Sequence, residues 1–312
     1  MSDKLLQDLL NGETRALARV ITLVENRSIE CLPLLQELFP RTGKSTIIGV
    51  TGSPGSGKST LVDRLAGAYR GEGKELAIIA VDPSSPFTGG AILGDRIRMQ
   101  TAGVYIRSMA TRGNLGGLAT ATADVATVLD AAGKNPILVE TVGVGQDEID
   151  IVKLADISIV VLVPGMGDDI QALKAGIMEI GDIFVINKCD RPGVEKMERA
   201  VLAMLSLAHR ADGWQPPIIK TVATEGQGIA ELQAAIRDCY AFFQKSEQRK
   251  RKKHDDARQR LITLLEERLV NKVVQQVFPD GELNKVIEDI ADRQKDPYSI
   301  VENIVQNSQF KK

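Results

Sequence analysis

The sequence has 312 residues, 43% hydrophobic and 26% charged, the make-up of a globular chain that buries a substantial core. Its 39 basic and 41 acidic residues leave a formal net charge of −2, which excludes binding driven by a global cationic excess and predicts no nucleic-acid partner. Cys31, Cys189 and Cys239 are dispersed and form no C-x-x-C pair, so reduced thiols are expected in place of a disulfide framework or a zinc site.

The first eight residues lack the basic-then-apolar layout of a secretion signal. No apolar run approaches the roughly 20 residues that span a bilayer. A cytoplasmic protein with no membrane partner is expected. In chain order, Leu5, Leu9, Leu17, Val20, Ile21 and Val24 recur at helical spacing and predict an N-terminal helical extension over 1–43. From 44 to 244, short apolar runs alternate with helical patterns. The runs fall at 47–51, 76–81, 104–106, 137–139, 157–163, 183–186 and 218–222. Most are uninterrupted, as in strands covered on both faces, so the reading is α/β with a mostly parallel central sheet. Beyond 245 a charged run precedes a stripe of Leu261, Leu264, Leu265, Leu269, Val273, Val274 and Val277, predicting a helical C-terminal extension over 245–312 whose apolar face packs on the core or on another subunit. A turn at Pro279-Asp280-Gly281 and a break near Pro297 set off two shorter helical patterns at its end.

The first apolar run leads into Gly52-Ser53-Pro54-Gly55-Ser56-Gly57-Lys58-Ser59-Thr60, a G-x-x-x-x-G-K-[ST] phosphate loop. Glycines let backbone N–H groups wrap phosphates, Lys58 reaches the β and γ oxygens, and the Ser59 hydroxyl suits Mg²⁺. A helix starting near Lys58 adds its dipole. The runs ending at 81 and 139 deliver Asp82 and Glu140 to the carboxyl edge of the sheet, where α/β ligands sit. Hard carboxylate oxygens suit Mg²⁺, so Glu140, Asp82 and Asp95 are metal candidates beside Ser59, and Lys58, Asp82 and Glu140 the catalytic ones. Surface carboxylates or helix caps are the alternative reading for all three acids. Gly143 can offer its N–H to a γ-phosphate.

The run at 183–186 ends in Asn187-Lys188-Cys189-Asp190. Asp190 can accept from the two adjacent N–H donors of guanine, and Lys188 can lie across the base. Adenine presents another pattern, and a matched bidentate base contact is worth roughly 1–3 kcal/mol of discrimination. Val222-Ala223-Thr224 stands where a last backbone N–H would meet the guanine oxygen. The sequence therefore predicts GTP/GDP as the nucleotide, with Mg²⁺, and hydrolysis in a P-loop GTPase domain.

With those residues in place, the chain resembles the methylmalonyl-CoA mutase-associated GTPases, the MeaB/ArgK family. The resemblance runs over nearly the whole chain. It rests on RALARVITLVEN at 15–26, the phosphate loop, DPSSPFTGGAILGDRIRM at 82–99 and SMATRGNLGG at 108–117. ETVGVGQ at 140–146, PGMGDDIQALK at 164–174 and the 187–190 motif complete the set. It implies a homodimeric G-protein chaperone of a cobalamin-dependent acyl-CoA mutase, one that gates adenosylcobalamin loading and protects or restores the mutase. It also implies nucleotide-sensitive switches at 82–98 and 140–146, and a third mobile segment at 165–174 facing the partner. Departures are Asp147, Gln171-Ala172, and the lack of a serine in Thr221-Val222-Ala223.

Other features take plainer readings. Neither His209 nor His254 sits in the D-x-H-x-x-G pattern of cobalamin binding. Scarce histidine and unclustered cysteine also speak against a nickel carrier. The basic run 249–253 reads as a solvated helix. Arg96, Arg98, Arg107 and Arg112 are candidates for transition-state charge, with structural ion pairs as the alternative. The competing function is a P-loop phosphotransferase (kinase) acting on a small molecule or protein.

Overall fold

The computed structural model describes residues 2–82, 101–110, 117–141, 154–165, 181–207, 210, 212–279 and 282–307. Seven strands form one sheet: β1 (Ile47–Gly52), β2 (Ala77–Asp82), β3 (Tyr105–Ala110), β4 (Ile137–Thr141), β5 (Ile157–Leu162), β6 (Ile183–Ile186) and β7 (Ile218–Lys220). Their order is β3-β2-β4-β1-β5-β6-β7, and every pairing is parallel. The predicted mostly parallel α/β sheet is thus wholly parallel among the described residues. Helices before and between the strands are α1 (Ser2–Leu10), α2 (Thr14–Glu25), α3 (Cys31–Leu38), α4 (Lys58–Gly71), α5 (Gly117–Ala131) and α6 (Val194–Leu207). After β7 come α7 (Ile229–Lys245), α8 (Glu247–Val277), α9 (Glu282–Ala291) and α10 (Pro297–Asn307).

Alternation along the strands sorts side chains onto two covered faces. Ile48, Val50, Ile78, Leu138, Ile159, Val161 and Val185 pack under α4 and α7 with Leu61, Leu65, Leu232 and Ile236. Ala77, Ile79, Val81, Ile137 and Val139 face the other way. There they meet Val125, Val128 and Leu129 of α5 and the predicted N-terminal stripe, with Leu9, Leu17, Val20, Ile21 and Val24 all buried. The N-terminal helices therefore complete one face of the main core. A third cluster places Val160, Leu162, Phe184 and Ile186 against Met197 and Val201 of α6.

β3 and β7 differ in length from their apolar runs by two residues or more. β3 continues through Arg107 and Ser108, which is tolerated because it is an edge strand and Arg107 is paired with Glu25 of α2. β7 stops at Lys220, since the chain turns at once into a 3₁₀ turn at Ala223–Glu225. The chain divides into two compact units, Met1–Ser246 and Glu247–Lys312. In the second, α8 runs through both the charged run and the leucine stripe, and Leu261, Leu265 and Leu269 are exposed.

If the N-terminal helices share the core, Ile21→Ala should lower the unfolding free energy by about 2–5 kcal/mol, the usual cost of a large-to-small core substitution. The single tryptophan, Trp214, packs on the opposite face and supplies the readout. Its fluorescence midpoint in urea should fall together with the far-UV signal. A Trp214 transition left in place while helicity falls would make the N-terminal helices an independent appendage.

Candidate functional site

β1 lies between β4 and β5, with Val50 in register with Glu140 and Gly52 with Val161. The chain leaving β1 therefore emerges between the tips of two neighbouring strands, the usual ligand edge of a parallel sheet. Gly52 has φ +145°, and any Cβ there would run into the Val161 carbonyl. The loop tightens through a bond from the Ser56 N–H to the Ser53 carbonyl at 3.1 Å. Gly57, at φ +89°, caps α4, and Leu61 N–H to Gly57 O at 2.9 Å begins the helix. The first N–H groups of α4 have no helical partner, and with the dipole they form an anion site facing the loop.

Lys58 is buried, and its Nζ donates to the Gly52 and Ser53 carbonyls at 2.6 and 3.0 Å. The loop's cation is thereby held inside the loop's own curve. Ser59 Oγ donates to Glu140 Oε1 at 2.6 Å. Glu140 is buried at the end of β4, and behind it Thr141 Oγ1 meets Thr51 Oγ1 at 3.2 Å. Thr60 is exposed on the first turn of α4. A hydroxyl and a carboxylate in contact at the foot of a phosphate loop are hard oxygen donors of the kind Mg²⁺ takes alongside phosphate oxygens and water.

The second motif closes onto this loop. Asn187 is 2% exposed, and its Nδ2 donates to the Ser56 carbonyl at 2.8 Å. Its Oδ1 accepts from Thr221 Oγ1 at 3.0 Å and from the Ala223 N–H at 3.1 Å. A Cβ on Gly57 would come within 2.5 Å of that Nδ2, so the contact requires glycine for its size as well as its φ. Lys188 adopts φ +58° and donates from Nζ to the Gly55 carbonyl at 2.7 Å. Cys189 donates its thiol to the Ile186 carbonyl at 3.0 Å, and burial raises its pKa. Asp190 is exposed next to it.

Of the last loop, Val222 and Ala223 are buried while Thr224 is exposed. The Val222 N–H bonds the Gln227 carbonyl at 3.2 Å, and Arg64 Nη2 of α4 donates to the Thr224 carbonyl at 2.7 Å. The structure thus brings together Gly52 to Thr60, Glu140, Asn187 to Asp190 and Val222 to Thr224. Asp95, Gly143 and the side chain of Asp82 lie outside the described residues, as do Arg96, Arg98, Arg112 and His209. Arg107 Nε bonds Glu25 Oε1 at 2.7 Å, a pairing that raises the pKa of the guanidinium and takes the structural alternative for this arginine.

Two side chains of α4 escaped the motif reading. Arg64 is one. The other is Asp63, whose Oδ1 accepts from the Thr101 N–H at 3.1 Å and its hydroxyl at 2.8 Å. Their one sequence signal is a place off the Leu61, Val62, Leu65 stripe.

The model of a family described as methylmalonyl Co-A mutase-associated GTPase MeaB matches residues 17–277. A Pyrococcus abyssi protein, whose name as a GTPase is itself provisional, is 46% identical over 98% of this chain and 96% of its own length. The GTPase ArgK of Escherichia coli K12 is 38% identical over 75% of this chain and 74% of its own. Among solved structures, one described as a LAO/AO transport system kinase superposes with a TM-score of 0.72 at 27% identity, covering 98% of this chain and 96% of that one.

Lys58 is the cation held inside the phosphate loop, so its removal tests the site directly. Lys58→Ala should abolish detectable nucleotide hydrolysis and weaken triphosphate binding. Phosphate release within a few-fold of wild type would exclude the loop as the reaction site.

Proposed function

The chain belongs to the methylmalonyl Co-A mutase-associated GTPase family, and from that premise we propose that its GTP hydrolysis serves a cobalamin-dependent acyl-CoA mutase. It acts there as a chaperone that gates adenosylcobalamin loading and protects or reactivates the mutase. The observation that carries the nucleotide assignment is the 2.8 Å bond from Asn187 Nδ2 to the Ser56 carbonyl. It supports reading the phosphate loop and the 187–190 motif as one site for one molecule of GTP.

In this reading the loop N–H groups and Lys58 bind and neutralise the phosphates. Asp190 accepts from the guanine N1 and 2-amino groups, and Lys188 lies along the base. Ser59 and Glu140 fit a Mg²⁺ ion, with Asp82 and Asp95 as further candidates. When bound, the ion would neutralise charge between the β- and γ-phosphates. Glu140 is fixed by Ser59, and Asp82 stands one strand away as a group to hold the attacking water. Gly143 offers its N–H to the γ-phosphate. GTP hydrolysis is slow by itself and faster when the mutase docks on 165–174, since a positioned cation can speed phosphoryl transfer by roughly 10³–10⁵. Linkage then requires the mutase to distinguish the GTP and GDP states.

The exposed Leu261, Leu265 and Leu269 of α8 support assembly as a homodimer through the C-terminal extension. The cytoplasm is the proposed compartment; among the described residues no helix is long and apolar enough to cross a membrane. A phosphotransferase reading has in its favour that the 27% identical structure is described as a kinase. The guanine-reading motif and the 38% identical relative named as a GTPase favour hydrolysis.

Asp190→Asn should move preference from GTP toward XTP, because the amide can donate to the xanthine 2-oxygen. Competition binding with an unchanged GTP preference would remove Asp190 from the base site. Titrating purified mutase into the GTPase should raise phosphate release and make cobalamin transfer nucleotide-dependent. If neither responds at saturating mutase, the chaperone role falls and the GTPase stands alone.

A further inference from the structure

We infer that Arg64 is a positioning residue for base recognition, holding the turn Ala223–Glu225 to the phosphate-loop helix so that its backbone meets the purine 6-oxygen. The inference rests on the assignment of 187–190 as the guanine-reading motif. The turn is short. Its own bonds are Glu225 N–H to Val222 O at 3.0 Å, Gly226 N–H to Ala223 O at 3.3 Å and, across its base, Val222 N–H to Gln227 O at 3.2 Å. Two side chains from outside hold it. Asn187 Oδ1 takes the Ala223 N–H at 3.1 Å, and Arg64 Nη2 takes the next carbonyl, that of Thr224, at 2.7 Å.

These two ties come from different bodies. Asn187 follows β6, whereas Arg64 projects from α4, the helix that begins with Lys58 and Ser59. Leu61, Val62 and Leu65 clamp α4 into the core on either side of Arg64, so the guanidinium is carried on a rigid support. A charge-assisted bond at this length is among the stronger neutral-acceptor bonds. Arg64 is itself exposed, so its loss opens no cavity and leaves no buried group unpaired. What it changes is the freedom of the turn relative to the phosphate loop.

The chemistry makes this separable from the role of Asp190. Guanine and hypoxanthine both carry a 6-oxygen that a backbone N–H can bond, and adenine carries a 6-amino donor instead. Guanine differs from hypoxanthine only in the 2-amino group, which Asp190 reads. A looser turn therefore erodes discrimination at position 6 and leaves discrimination at position 2 intact.

The test compares hydrolysis of GTP, ITP and ATP by the full chain and its Arg64→Ala and Arg64→Lys variants, with Asp190→Asn as the control. Arg64→Ala should lower the GTP-over-ATP preference by about three- to tenfold, the worth of one hydrogen bond. The loss should lie in KM, with kcat for GTP within twofold, the GTP-over-ITP ratio unchanged and the melting temperature preserved. Arg64→Lys, which keeps a donor, should restore part of the preference. An unchanged GTP-over-ATP ratio, an equal fall for all three nucleotides, or a loss confined to kcat overturns the inference. If Asp190→Asn also leaves GTP-over-ITP unchanged, the base-site assignment itself fails. If Asp190→Asn alters that ratio while Arg64→Ala is silent, only the role of Arg64 is lost.

Discussion

The amide of Asn187 gives a hydrogen to the Ser56 carbonyl and receives two, from the Thr221 hydroxyl and the Ala223 N–H, with the whole side chain buried. A backbone carbonyl can only accept and a backbone N–H can only donate, so the network fixes which end of the amide is which. Three loops from three strands are thereby held at one point. Replace the amide with an apolar group and the Ser56 carbonyl, the Ala223 N–H and the Thr221 hydroxyl lose a partner in a dry place, each at about 1–3 kcal/mol. The conformations of Gly57 and Lys188 follow from the same constraint. Glycine at 57 leaves room for Nδ2, and Lys188 accepts a left-handed backbone to send Nζ back to Gly55.

The sheet supplies the platform for that point. Parallel register puts Glu140 level with Val50, so the carboxylate reaches the first turn of α4 and the Ser59 hydroxyl without a long side chain. Both faces are sealed, one by α4 and α7 and the other by α5 with the N-terminal helices. A sealed parallel sheet exposes its functional groups only at strand ends, which is why Gly52 to Thr60, Glu140, Asn187 to Asp190 and Val222 to Thr224 lie at strand ends, in loops or in the first turn of a helix.

The sequence was most legible where chemistry restricts residue type. The phosphate loop and 187–190 stand out because few residues can cradle a phosphate or read guanine. The strands at 157–162 and 183–186 stand out because they are rich in β-branched and large apolar residues, the second unbroken and the first interrupted only by Ser158. Long-range pairings were illegible. Arg64 meets Thr224, Asp63 meets Thr101 and Arg107 meets Glu25, and none of these leaves a local pattern. The N-terminal stripe was visible as amphipathic, but periodicity names a face and not what covers it. Only the fold shows Ile21 beside the cluster that holds Leu129.

That last contact sets an order of events during synthesis. The apolar face of α2 packs against α5, yet about a hundred residues of chain separate Ile21 from Leu129. At 5–20 residues per second, a ribosome takes roughly 5–20 s to deliver that partner. Throughout that interval Leu17, Val20, Ile21 and Val24 present an oily stripe whose main cover has yet to be made. The stripe of α2 thus waits for its cover, which makes the nascent chain a client for holding factors before it becomes an enzyme.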